Sequence, residues 1–253
     1  MLKTILIFFV VGLAMIIPVP LGLLFFIFSF LGIRAPLMFL IYRIAQGWAR
    51  MLIFLTGCKL TVTGREHIPR KGGLCIVSNH GSIFDILLHL AYVGRPLGFI
   101  AKKELLAVPF LNMWIFLLGG LFIDRKNIRQ AVKTINKGVE RIKAGGVMIV
   151  FPEGTRSKGQ GLLPFHPGSL KLATQSLAPV IPAAISGSYD VFERNYRVNA
   201  VPVTVAYGAL IATDRLPAEG RTKNLSDEAR EAIRTVLEPD VQGFGPGDRT
   251  KSV

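Results

Sequence analysis

Cysteine is nearly absent from the chain: it has two in 253 residues, Cys58 and Cys75. Two thiols are too few for a disulfide framework and suit a reducing compartment. No histidines cluster with them at ligand spacing, so no metal centre is indicated. A G-x-x-x-x-G-K-S/T run is missing, which removes the usual cradle for a nucleotide's phosphates. Internal repeats are missing as well. Acid is scarce, with 16 Asp and Glu against 30 Lys and Arg, and the formal charge is +14. Between Thr4 and Ile33 there is no charged residue of either sign.

What is abundant is apolar surface: 51% of the residues are hydrophobic. That content combined with excess base points to an anionic membrane surface, where each basic residue near the headgroups contributes about 1 kcal/mol. Nucleic acid fits less well, because the basic residues are not gathered into a stripe with interleaved aromatics. The length suffices for one large domain with an appendage.

The uncharged leader would run about 45 Å as one helix, more than a bilayer. Pro18, Pro20 and Gly22 interrupt it, so a kinked spanning helix and a re-entrant hairpin are both open. A cleaved signal peptide fits poorly, since the apolar run is too long and no small-x-small site closes it. Arg34, Arg43 and Arg50 follow the run, which places the main body on the cytoplasmic side if the leader spans. A second helix is expected over Pro36 to Leu55. Its Arg43, Gln46 and Arg50 share one face, suited to the headgroup boundary with the aliphatic side chains below, or else the helix is a second short span.

From Lys59 onward short apolar runs alternate with amphipathic segments. Strands are expected at Lys59 to Thr63, Leu74 to Ser78, Gly98 to Ala101, Leu121 to Ile123, Val147 to Phe151, Val180 to Ser186 and Val201 to Leu210. The clearest helix starts at an Asn127 N-cap and stops at Gly145 and Gly146. This alternation predicts an α/β fold with a mixed, largely parallel sheet flanked by helices. The chain divides into a hydrophobic, membrane-docking helical segment (1–57), an α/β domain (58–239) and a tail expected to be disordered (240–253).

Two stretches carry chemistry. In "SNHGSIFD", His80 and Asp85 are five apart, about 140° around a helix, so within one helix they could not meet. If His80 lies on the turn after the strand "LCIVS" and the helix starts near Ser82, the imidazole can fold back onto Asp85. One ring nitrogen then faces a carboxylate and the other is left to take a proton from an alcohol. The plainer reading is a helix cap. In "VMIVFPEGTRS", a buried strand ends in a loop where Gly154 permits close approach and Arg156 offers forked donors suited to phosphate.

With these stretches the chain resembles the glycerolipid acyltransferases, most closely the 1-acyl-glycerol-3-phosphate (lysophosphatidic acid) acyltransferases. Four blocks stand in order: Asn79-His80-x-x-x-x-Asp85, "GLFIDR" (Gly120 to Arg125), "FPEGTRS" (Phe151 to Ser157) and "VIPAAISG" (Val180 to Gly187). One departure is that Ile83 and Phe84 stand where more polar residues are common. The resemblance implies that His80 is the general base for an acceptor hydroxyl, typically the sn-2 hydroxyl of a lysolipid, attacking an acyl thioester. It implies that Asp85 holds the imidazole, that Arg125 and Arg156 hold the acceptor's phosphate, and that Lys102 or its neighbour Lys103 adds a contact. Glu153 and Gly154 would shape the glycerol site, with Thr155 beside them in the substrate-binding set. The implied partners are membrane lipids, a lysophospholipid acceptor and a donor, acyl-coenzyme A or acyl carrier protein; no further cofactor and no metal is implied. The rivals are another lysophospholipid or a lyso-aminolipid as acceptor, a non-catalytic lipid-binding scaffold, and a hydrolase. His67 and His89 are read as lacking a carboxylate at useful spacing, and a catalytic role for His166 is not expected. The apolar segment Pro109 to Phe122 is either an acyl-chain groove or a core helix followed by a strand.

Overall fold

The computed structural model describes residues 2–30, 34–166 and 168–238, so the expectation for the tail lies outside the described residues. The leader folds as two helices, α1 (Leu2–Ile16) and α2 (Pro18–Phe30). The break falls before Pro18, which lacks an N–H yet is pre-set for a first helical turn, while Pro20 and Gly22 are absorbed into α2. A third helix, α3, spans Arg34–Thr56. Two helical stretches, Lys3–Gly22 and Leu37–Thr56, are long and apolar enough to cross a membrane.

Strands β1 (Lys59–Thr63) and β2 (Leu74–Ser78) come next, followed by α4 (Phe84–Tyr92), β3 (Leu97–Lys102), α5 (Leu111–Leu117), β4 (Leu121–Ile123) and α6 (Ile128–Lys143). The chain continues through β5 (Val147–Val150), α7 (Lys171–Ser176), β6 (Val180–Ser186), α8 (Ser188–Val191), β7 (Pro202–Tyr207) and α9 (Arg221–Leu237). The seven strands form one sheet in the order β1-β7-β6-β2-β5-β3-β4. From β6 to β4 all neighbours are parallel, whereas β7 is antiparallel to β6 and carries β1 with it. This is the mixed, largely parallel sheet that the alternation predicts.

Every residue of β2 is buried, as in a strand covered on both faces. Leu74 and Ile76 join a core layer with Tyr42, Leu88 and Ile181, while Cys75 and Val77 enter a second layer with Ile142, Leu172 and Ile233. Burial pushes the Cys75 thiol up to about 12, so it is inert packing. The segment Pro109 to Phe122 becomes α5 and then β4. Its Trp114 and Leu117 pack on Leu37, Ile41 and Ala45 of α3, and the Trp114 indole N–H donates to the Ala14 carbonyl at 3.0 Å.

The polar face of α3 corrects an expectation. Gln46 is buried, and it does not look toward headgroups. The Tyr42 hydroxyl donates to Leu90 O at 3.3 Å, Gln46 Nε2 to Ala91 O at 3.2 Å and Arg50 Nε to Ala91 O at 3.1 Å. Arg65 Nε donates to Tyr92 O at 2.9 Å. The last turn of α4 leaves carbonyls that no helical N–H reaches, and these donors satisfy them while placing cations at the negative end of its dipole. Phe39, Leu40, Met51 and Phe54 of α3 point outward instead. Helix α3 thus buries Gln46 alongside Ile41, Ala45, Ala49 and Ile53, while Arg43 and Arg50 stay exposed together with the outward apolar set.

Gln46→Leu should therefore cost about 1–2 kcal/mol, because it removes a donor from a buried carbonyl without opening a cavity. Thermal unfolding in detergent should show a fall of roughly 2–8 °C; an unchanged midpoint would mean that Arg50 alone satisfies Ala91.

Candidate active site

The turn after β2 is fixed on three sides. Asn79 continues the β2–β6 ladder with its side chain: its Nδ2 donates to Ile185 O and its Oδ1 accepts from Ile185 N, each at 2.8 Å. The His80 N–H donates to Glu153 Oε1 at 2.7 Å, and the His80 carbonyl accepts from Ser157 N at 2.7 Å. The turn thus joins the first block to the fourth through Asn79 and to the third through His80.

The side chains then meet as the spacing allows. His80 Nδ1 lies 2.9 Å from Asp85 Oδ2, with Asp85 in the first turn of α4. The Ser82 N–H donates to the same oxygen at 2.9 Å, and the Ser82 hydroxyl accepts from Phe84 N at 3.1 Å. Asp85 is fully buried, whereas the His80 side chain keeps 16% exposure. The imidazole stacks on Phe151 with centroids 4.0 Å apart and planes 19° apart. With Nδ1 engaged, Nε2 is the nitrogen left for a proton.

Glu153 is buried at 2% exposure. One oxygen takes the His80 N–H and the other takes the Leu163 N–H at 3.1 Å. Each oxygen carries one backbone donor, so the carboxylate holds the two loops together. Burial raises its carboxyl above the usual range, and the two backbone N–H groups, with the charge of His80, pull it back. Gly154 sits at φ 69°, and a Cβ there would lie 2.6 Å from Arg125 Nη1 and 2.7 Å from the His166 ring. Only glycine fits such a position. Arg125 Nη1 donates to the Gly154 carbonyl, which ties the second block to the third.

Arg156 Nη1 is paired with Glu193 Oε1, and the other oxygen of Glu193 accepts from Ile83 N at 2.9 Å, at the entry to α4. Glu193 was invisible to motif reading, since it lies outside all four blocks; its only signal is an acid in a basic chain. Lys102, exposed, ends β3 in register with Ile123, while Lys103 pairs with Asp124 at 2.6 Å. Among the described residues neither Lys102 nor the exposed Thr155 side chain bonds another member of the site. No group of His, Cys, Asp and Glu suited to a metal occurs among the described residues.

His89, set aside in the sequence reading, is buried beside the dyad. It is one turn after Asp85, and that interval of four was the signal available in the sequence. Its Nδ1 lies 3.4 Å from the Tyr207 hydroxyl, and its ring is 6.0 Å from Phe151. Burial, with the charge of His80 as a lesser cause, lowers it to about 3, so it is neutral near pH 7.

The profile of the Acyltransferase family matches residues 59–186. The chain belongs to the acyltransferase family. A relative from Borreliella burgdorferi named 1-acyl-sn-glycerol-3-phosphate acyltransferase is 30% identical over 190 residues, covering 75% of this chain and 76% of its own. The human 1-acyl-sn-glycerol-3-phosphate acyltransferase alpha is 31% identical over 207 residues, covering 78% and 71%. The crystal structure of the 1-acyl-sn-glycerophosphate (LPA) acyltransferase PlsC from Thermotoga maritima superposes with a TM-score of 0.79 at 26% identity over 97% of both chains. The acyltransferase fold of this chain therefore extends through its amino-terminal helices.

Two outcomes are expected. Glu153→Gln puts an NH2 against one of two backbone N–H groups and should cost about 1–3 kcal/mol in thermal unfolding, with a loss of turnover read in the same preparation. His89 has its folded value lowered from 6.5 to about 3, so its stabilising contribution is full above pH 6.5 and is lost as pH falls toward 3. The melting midpoint should decline on acidification by the equivalent of roughly 1 kcal/mol per pH unit from this group. His89→Phe should flatten that decline, and an unchanged slope would mean that the imidazole is protonated without cost.

Proposed function

We propose that this acyltransferase moves an acyl group from an acyl thioester, of coenzyme A or acyl carrier protein, to the sn-2 hydroxyl of lysophosphatidic acid, giving phosphatidic acid. The observation that carries the reading is the 2.9 Å contact between His80 Nδ1 and a fully buried Asp85, with no partner on Nε2 among the described residues. The names of the relatives support the choice of acceptor.

The chemistry follows from those atoms. The acceptor hydroxyl gives its proton to His80 Nε2 as its oxygen attacks the thioester carbonyl. Asp85 fixes the Nδ1–H tautomer and offsets the charge on the imidazolium, the logic of a catalytic triad in which the substrate supplies the nucleophilic oxygen. The tetrahedral adduct then collapses, the carbon–sulfur bond breaks, and the proton on Nε2 passes to the departing thiolate. Stacking on Phe151 limits the imidazole to the plane in which Nε2 serves both transfers. Arg125, Arg156 and Lys102 are the cations assigned to the acceptor's phosphate. Glu193 presents the Arg156 fork from one side and leaves its remaining N–H groups for a phosphate oxygen.

The outward apolar faces of α1 and α3, including Ile5, Phe9 and Phe54, support association with the membrane that holds the lysolipid. If the leader spans, the excess of Arg and Lys after it supports a cytoplasmic catalytic domain.

The test is transfer of labelled acyl groups from both donors to a panel of lysophospholipids by the full chain in detergent or vesicles. Product from lysophosphatidic acid that falls about 10²–10⁴-fold in His80→Ala supports the reading; near-full activity in that variant removes the base. Arg156→Ala should raise the acceptor KM about tenfold with a smaller effect on kcat. Product from a different headgroup alone would reassign the acceptor, and none with either donor would leave a lipid-binding protein.

A further inference from the structure

Three buried side-chain atoms have no hydrogen-bond partner among the described residues: Asp85 Oδ1, His89 Nε2 and Thr213 Oγ1. Two of the three belong to residues four apart on α4, and one is the second oxygen of the carboxylate that holds His80. A buried ionised oxygen without a donor is costly, as is a buried ring nitrogen without a partner. Residues i and i+4 share a helix face, and helical side chains lean toward the N-terminus, so the His89 ring leans back over the turn that carries Asp85.

The tautomer of His89 follows from its other side. Nδ1 faces the Tyr207 hydroxyl at 3.4 Å. Burial holds the Tyr207 phenol well above its ordinary range, so it keeps its proton and can donate. If Tyr207 donates to Nδ1, then Nε2 carries the hydrogen of the neutral ring and Asp85 Oδ1 is an acceptor one turn away. In the opposite tautomer, Nε2 turns a lone pair toward a carboxylate and the Tyr207 proton has no acceptor. Only the first arrangement leaves a donor on Nε2 to complement the acceptor Oδ1 while giving the Tyr207 proton an acceptor.

We propose that His89 is a positioning residue for the dyad, whose Nε2–H serves Asp85 Oδ1 across one water, making a buried chain Tyr207–His89–water–Asp85–His80. Asp85 Oδ2 already receives His80 Nδ1 and the Ser82 N–H. A donor on Oδ1 stops the carboxylate from turning about its Cβ–Cγ axis and keeps Oδ2 aimed at the base. The imidazole of His89 does not touch substrate and exchanges no proton in the reaction. The inference rests on the reading of His80 as general base.

The first measurement uses the full wild-type chain in detergent, labelled with ¹⁵N-histidine. Multiple-bond ¹H–¹⁵N spectra should show His89 neutral and protonated at Nε2 from pH 5.5 to 8, with its Nε2–H resonance displaced in Asp85→Asn. A ring protonated at Nδ1, or a resonance indifferent to Asp85→Asn, overturns the proposal without reference to activity. The second measurement exploits amide geometry, since the Gln nitrogen overlays Nε2 and the Asn nitrogen overlays Nδ1. His89→Asn should lower kcat about 10–100-fold with little change in either KM, and His89→Gln should recover most of that loss. An Asn variant within twofold of wild type, or a Gln variant as impaired as Asn, rejects the role; a merely structural residue would not separate the two amides this way. If neither variant folds, the spectra decide. A His80→Ala enzyme of undiminished rate would remove the base while the spectra still report the His89–Asp85 coupling, so the two failures are told apart.

Discussion

Glu153 is a carboxylate taken out of water and shared between two loops, the His80 N–H on one oxygen and the Leu163 N–H on the other. Desolvation of the charge is expensive, and the two backbone donors offset it only if both loops stay in place. The position of His80 is thereby a condition of satisfying a buried charge. Asp85 follows the same rule one step on, since its burial is tolerable only with donors from Ser82 and His80. The site is stiff because each of its acids is held by something that would lose a partner by moving.

Much of this was legible in the order of residues. The strands at Leu74–Ser78 and Val180–Ser186 match the apolar runs that announce them, because a strand covered on both faces reads as nearly uninterrupted hydrophobicity, and Lys59–Thr63 is announced instead by the alternation of an edge strand. His80 and Asp85 could be paired because a turn between strand and helix lets the imidazole fold back, and the other three blocks standing in order favoured that pairing over a helix cap. The partners of Glu153 and Arg156 could not be foreseen. Leu163 contributes a backbone N–H, which every residue but proline has, and Glu193 arrives from a segment with no motif of its own. The place of Gln46 in α3 was misjudged for a related reason: a polar residue on a helical face says only that something polar is opposite. Here that is the carbonyl end of α4, where the expectation was lipid headgroups.

That docking gives the leader a second part to play. Helix α3 holds the last turn of α4, Asp85 stands in its first, and α4 is nine residues long in all. The helix that shows its apolar side to the surroundings thus also fixes the axis along which Asp85 approaches His80. Lys3 reaches the Thr56 carbonyl, the Val198 N–H donates to Thr4 at 3.1 Å, and Phe8 meets Phe192 edge-on at 5.2 Å, so α1 is anchored to the domain as well. Surroundings and site share one mechanical frame.

The pairing of β1 with β7 bears on how the protein is made. Lys59 is in register with Pro202 and Thr63 with Ala206, so strands about 140 residues apart form one edge of the sheet. At roughly 5–20 residues per second of synthesis, β1 waits on the order of ten seconds for its partner to leave the ribosome. During that interval the leader is already outside, and it can engage a bilayer while the catalytic domain still lacks an edge. The order of synthesis therefore puts the apolar leader ahead of a finished sheet.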